Sequence, residues 1–160
     1  MPAMQSSITA SASDPAPVAP SEPPLWALRL GYAGLLPFVT GALLIWLVWP
    51  EAHPYVTLGL SAYAALIVCF LGGIHWGLAM RQAAPAPSLL IWGVLPSFPA
   101  WVAVMMPPSA GLVIHGAMLI ACYVVDRRVY PQQGVAHWLT LRFRLSTVAA
   151  LSCFLGAAGT

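Results

Sequence analysis

The sequence predicts an all-α integral membrane bundle of five transmembrane helices. Three observations carry this prediction: 60% of the 160 residues are hydrophobic, only 6% are charged, and the apolar residues gather in runs far longer than a soluble core needs. Backbone groups in lipid have to be satisfied within the chain itself, so such runs read as helices and not as strands.

Residues 1–24 precede the apolar runs and are a different material. They are rich in Pro, Ala and Ser, with Asp14 and Glu22 as their only charges, and they hold too few large apolar side chains to offset the entropy of ordering. A disordered tail is expected. It has neither the basic start and apolar stretch of a secretory signal nor the arginines of a mitochondrial transit peptide, which leaves targeting to the first apolar run.

Five segments follow: Trp26 to Trp49, Tyr55 to Met80, Ser88 to Met106, Ala110 to Val125, and roughly Leu141 to Ala158. A spanning helix takes about 20 residues at ~1.5 Å each, so the first three are ample and the last two are short. The short ones can recruit flanking residues, the fourth from near Pro107 and the fifth from near Trp138. Pro50, Pro54, Pro85, Pro87, Pro107, Pro108 and Pro131 mark the intervals. Two segments also carry broken-helix signals, at Gly34-Leu35-Leu36-Pro37-Phe38 and at Gly93-Val94-Leu95-Pro96-Ser97-Phe98-Pro99, since proline removes an amide donor and crowds the preceding turn.

Orientation follows from the arginines, which are six in number with no lysine beside them. With five crossings, Arg29, Arg81, Arg127, Arg128, Arg142 and Arg144 all fall at segment ends on one side. The other side offers only Glu51 and His53. The positive-inside rule then puts the amino terminus in the cytoplasm and Thr160 outside. Trp26, Trp46, Trp49, Tyr55, Tyr123, Tyr130 and Trp138 stand near the proposed boundaries, where amphipathic rings belong.

The residue that calls for a functional account is His75, in Leu71-Gly72-Gly73-Ile74-His75-Trp76-Gly77. Ionisable side chains in membrane helices are costly and usually face the bundle interior or a polar cavity. Six residues before Arg81, His75 lies roughly 9 Å inside the arginine-bearing boundary. The fourth loop, from Val125 to Arg144, brings an acid, four arginines and His137 to that level. A ligand-binding pocket of His75, Trp76, Asp126 and Arg142, suited to an anionic headgroup or a quinone-like carbonyl, is one expectation. A purely structural cluster, with the arginines anchored to lipid phosphates, is the other. Along the same segment Ser61, Ala65, Cys69, Gly73 and Gly77 recur every fourth residue, a small-residue stripe that assigns helix packing to Gly73 and Gly77.

Other chemistries find little support. Cys69, Cys122 and Cys153 all fall in apolar runs at no metal or redox spacing and read as small buried hydrophobes. His75 and His115 lie at different depths, about 9 and 16 Å from the same boundary, which argues against a shared haem. No metal ligand set, cofactor or catalytic residue is assigned. Ser61 and Ser97 stand in no nucleophile motif, and no repeat or central acid marks a transporter. Without a basic stripe interleaved with aromatics, nucleic acid is not an expected partner.

Gly34 to Phe38, Leu71 to Ala79, Gly93 to Trp101, Tyr123 with Asp126, and His137 to Ser146 together resemble the domain of unknown function 3429, a family of small proteobacterial membrane proteins related to a mitochondrial transmembrane protein of eukaryotes. The resemblance covers about residues 26–155. The Ile74-His75-Trp76-Gly77 element and the Trp138-x-x-Leu141-Arg142 element are its more specific parts. It implies a five-helix membrane domain and supplies no activity, cofactor or site residue. Arginine-only basic content and abundant alanine fit a bacterial inner membrane. The expected role is non-enzymatic, as an accessory, packing or lipid-associated protein whose expected partners are membrane lipids or a membrane protein complex, and not nucleic acid. The rivals are binding or transport of a small lipidic or anionic ligand at the His/Asp/Arg pocket, and a membrane enzyme using His75 as acid or base.

Overall fold

The computed structural model describes residues 22–160, and the tail expected over residues 1–24 lies outside them except for its last three positions. Among the described residues the chain forms seven α-helices: α1 (Leu25–Ala33), α2 (Leu36–Leu47), α3 (His53–Met80), α4 (Pro87–Val94), α5 (Ser97–Met105), α6 (Pro108–Gln132) and α7 (Leu139–Ala158), with one 3-10 turn at Ala136–Trp138. They combine into five stretches long and apolar enough to cross a membrane, Leu25–Leu47, His53–Met80, Pro87–Met105, Pro108–Gln132 and Ala136–Ala158.

The first and third spans are the two that carry mid-segment prolines, and both break. Pro37 and Pro96 lack the amide hydrogen that would continue the ladder, so the helices stop at Gly34-Leu35 and at Leu95-Pro96 and restart at once. At each break one carbonyl is met by a side chain, which an apolar surrounding favours. Tyr63 donates its hydroxyl to the Gly34 carbonyl at 2.9 Å, and Ser97 donates to Val94 at 2.6 Å.

The fourth span differs from its expected bounds. Helix α6 does begin at Pro108, by recruitment at its start, but it runs seven residues past Val125, through Pro131, to Gln132. Proline inside the final turn costs only one hydrogen bond there, so it does not end the helix. Asp126, Arg127 and Arg128 are therefore helical, and what read as a long loop shrinks to a short connection. Gly134, with φ of 71°, makes that turn in a backbone conformation that glycine adopts without strain.

The continuous helices α3, α6 and α7 form the trunk, with α2 packed on α3 and α7 and the α4–α5 pair on α3 and α6. The core between them centres on Phe38, Leu60, Val68, Leu112, Leu119 and Cys153. At Gly72 the backbones of α3 and α4 touch: a methyl group there would stand 2.5 Å from the Gly93 carbonyl oxygen. This corrects the packing assignment. Gly73 and Gly77 are exposed on the outer face of α3, with nothing within 4 Å of where a side chain would begin. One residue is about 100° of helix, so a stripe read one position late faces outward. Cys69, on that same stripe, is exposed as well, whereas Cys122 and Cys153 are buried.

Candidate functional site

Helices α3, α6 and α7 each bring one polar side chain to a common point near the arginine-bearing end. His75 from α3, Asp126 from α6 and Arg142 from α7 are 1%, 1% and 7% exposed. The Arg142 guanidinium grips one carboxylate oxygen of Asp126, with Nε donating to Oδ2 at 2.8 Å and Nη2 donating to the same atom at 2.6 Å. Charge-assisted bonds of this length are the strong kind. The other carboxylate oxygen, Oδ1, lies 3.4 Å from His75 Nε2, and neither atom completes a hydrogen bond. On its far side the imidazole places Nδ1 3.3 Å from the Leu71 carbonyl oxygen.

Both imidazole nitrogens of His75 thus face oxygen acceptors, while a neutral ring has a single N–H to give. Tyr130, one turn beyond Asp126 on α6, completes the group. It is 3% exposed, its ring centre stands 6.3 Å from that of His75, and its hydroxyl neighbours Asp126 and Arg142.

Trp76 lies apart from these residues. It is 40% exposed on the outer face of α3, where its indole Nε1 donates to the Leu90 carbonyl at 2.9 Å and its ring covers Gly93. Of the four residues assigned to a ligand pocket, the structure therefore gathers His75, Asp126 and Arg142, and leaves Trp76 as a clamp between α3 and α4. Successive helical residues diverge by about 100°, so His75 and Trp76 cannot both face inward. Tyr130 is the member that sequence reasoning placed elsewhere, as a boundary aromatic. Its position four residues after Asp126, on one helical face, was the available signal.

Beside the cluster a cavity of about 550 Å³ opens between α1, α3 and α7, walled by Leu30, Phe70, Ile74, Leu145 and others, with Tyr130 and Arg142 as polar members and Arg81 and Trp138 at the helix ends. A second space of about 150 Å³ shares the wall at Leu30, Leu71 and Arg142 and continues toward Phe38, Leu119 and Ser146. Ser146 Oγ has no hydrogen-bond partner among the described residues. His75 and Asp126 stand behind Arg142 and Tyr130, outside the cavity lining.

The other buried histidine belongs to a separate site. His115 on α6 is fully buried, with Nδ1 3.4 Å from the Ser61 hydroxyl and Nε2 3.3 Å from the Ala100 carbonyl oxygen just past the α4–α5 break. A neutral ring satisfies both. Among the described residues no three His, Cys, Asp or Glu side chains gather as a metal site would require.

Residues 23–158 match the family model described as "Protein of unknown function (DUF3429)". Transmembrane protein 69 of Xenopus tropicalis is 33% identical over 138 residues, covering 82% of this chain and 53% of its own length. Transmembrane protein 69 of Mus musculus is 31% identical over 132 residues, covering 81% of this chain and 54% of its own length. The chain thus spans about half the length of the curated relatives it matches. No solved structure matches.

Proposed function

The chain belongs to the family described as Protein of unknown function (DUF3429), a family of multi-pass membrane proteins, and from that premise we propose a non-enzymatic, lipid-associated role in which it holds a small lipidic or anionic ligand. One observation carries the reading. The 550 Å³ cavity is apolar along most of its wall yet meets Arg142 and Tyr130 at one place, and ligand sites commonly have volumes of about 300–1,000 Å³ with a few polar groups in an apolar lining.

The cost of the cluster supports the same view. A buried ion pair rarely stabilises a fold better than apolar packing would, and an ionisable residue within membrane spans is by default a functional one. The neighbouring His75 lends the pair a further titratable group without touching the cavity. Arg142 and Tyr130 are the members of the group that such a ligand would touch.

The proposed setting is a bacterial inner membrane, with the amino terminus cytoplasmic and Thr160 periplasmic. The six arginines support it, since they lie in the first turns of the first span, just past the end of α3, in the last turns of α6 and in the first turns of α7. A reporter fused after Thr160 should be active only in its periplasmic form. A cytoplasmic signal would reverse the orientation.

The binding role is tested by purifying the full chain in mild detergent and identifying co-purifying lipids by mass spectrometry. A specific lipidic species, retained by the native chain and lost from Ile74→Trp, which fills the cavity, is the expected result. An identical lipid profile for both would remove the proposal.

A further inference from the structure

We infer that the cavity takes a single-chain amphiphile whose head is a hydrogen-bond acceptor, a carbonyl or a carboxylate, received by Arg142 and Tyr130 with the tail lying along α3 and α7. This rests on the binding role proposed above and narrows it to a ligand class.

The head chemistry follows from what the wall can offer. Arg142 has donors and no acceptor. Its partner Asp126 carries the acceptors of the cluster, but Oδ2 is engaged twice by Arg142, Oδ1 is turned toward His75, and the carboxylate stays outside the cavity lining. Tyr130 adds a hydroxyl. A ligand that brings acceptors finds donors there, and one that brings only donors meets a guanidinium. An ammonium head is thereby disfavoured, by like charge as well as by hydrogen bonding.

The shape of the tail follows from the walls. Beyond Arg142 the lining is Leu30, Phe70, Leu71 and Leu145, and the smaller space continues past them toward Phe38 and Leu119. From Leu141 to Ala149 on α7, two wall residues at opposite ends, the run is about 12 Å at ~1.5 Å per residue, and Trp138 extends the wall by a further turn. That is a slot for one extended chain. A phospholipid would have to leave its second tail outside in the bilayer.

Entry is available from the side. Helix α1 supplies Ala27, Leu30 and Gly31 to the wall, and Tyr32 at its far end accepts a hydrogen bond from Arg144 Nη1 at 3.3 Å. An amphiphile already in the leaflet reaches the slot between α1 and α3 without crossing water.

The experiment uses the full chain in nanodiscs with four probes: a decyl-chain benzoquinone, palmitate, dodecylammonium and a dioleoyl phosphatidylcholine competitor. Binding is read by quenching of the protein's tryptophan fluorescence for the quinone and by displacement of the quinone for the others. The quinone, palmitate or both should bind, with Tyr130→Phe weakening them up to about tenfold, as loss of one hydrogen bond predicts, and Ile74→Trp abolishing binding. Which of the two binds more tightly assigns the head as carbonyl or carboxylate. Dodecylammonium binding as well as palmitate, or phosphatidylcholine displacing both at equal concentration, would overturn the ligand class while leaving the cavity as a lipid site. Failure of all four probes, with a native fold by circular dichroism, would sink the ligand class and the binding role together.

Discussion

His75 and His115 are both buried imidazoles on apolar helices, and their surroundings differ in one respect that separates their roles. His115 faces one carbonyl and one hydroxyl, and since a hydroxyl both donates and accepts, a neutral ring completes both bonds. His75 faces a carbonyl and a carboxylate, two acceptors, with a single hydrogen to share between them. The first histidine is a finished joint that closes the break between α4 and α5. The second belongs to a group with polar capacity left over, and that group adjoins the 550 Å³ cavity. Burial by itself does not distinguish them; the balance of donors and acceptors does.

The largest effect is expected at Arg142. Arg142→Ala leaves Asp126 buried without its cation, which should cost about 3–5 kcal/mol and show as a large drop in thermal midpoint in detergent. A pairwise replacement, Asp126→Leu with Arg142→Met, should recover most of that stability while losing the co-purifying lipid. If the double variant stayed as unstable as the single one, the cluster would be structural after all.

The next effect is at the α3–α4 contact. Gly72→Ala drives a methyl into the Gly93 carbonyl and should cost about 2–3 kcal/mol, in the range of overpacking. His115→Ala comes third. It strands the Ser61 hydroxyl and the Ala100 carbonyl, at about 1–2 kcal/mol for buried groups left unpaired, and should leave lipid retention unchanged. His75→Ala should do the opposite, altering retention at a smaller cost in stability; equal thermal losses for the two histidines would erase the distinction drawn between them. Smallest of all is Gly73→Ala, one residue from Gly72 but facing outward. It should be neutral or stabilise by up to about 0.5–1 kcal/mol, because alanine suits a helix better than glycine.

Hydropathy alone was enough to count the spans, and proline chemistry was enough to place both breaks, because these depend on local sequence. Asp126 was read as a loop residue because the apolar run ends at Val125 and Pro131 follows in the interval, yet proline near the end of a helix forfeits little. The meeting of His75, Asp126 and Arg142 was legible from their shared depth and opposite charges. The rotation of each helix was not. Gly72 and Gly73 are alike in sequence, and only the position of α4 decides which is a contact; the same ambiguity put Trp76 beside His75 and left Tyr130 at the boundary. The cavity had no signature of its own, since it arises from how loosely α1 lies against α3 and α7.

The three members of the polar cluster sit in the second, fourth and fifth spans, in that order along the chain. A ribosome delivers them in the same order, at about 5–20 residues per second. His75 is therefore made first, in a span that can already pair with the third through Gly72 and Gly93. Asp126 follows before the partner that will grip it, and waits until the start of the last span is translated. Sixteen residues separate Asp126 from Arg142, so the buried pair can close only after the last span has begun to emerge.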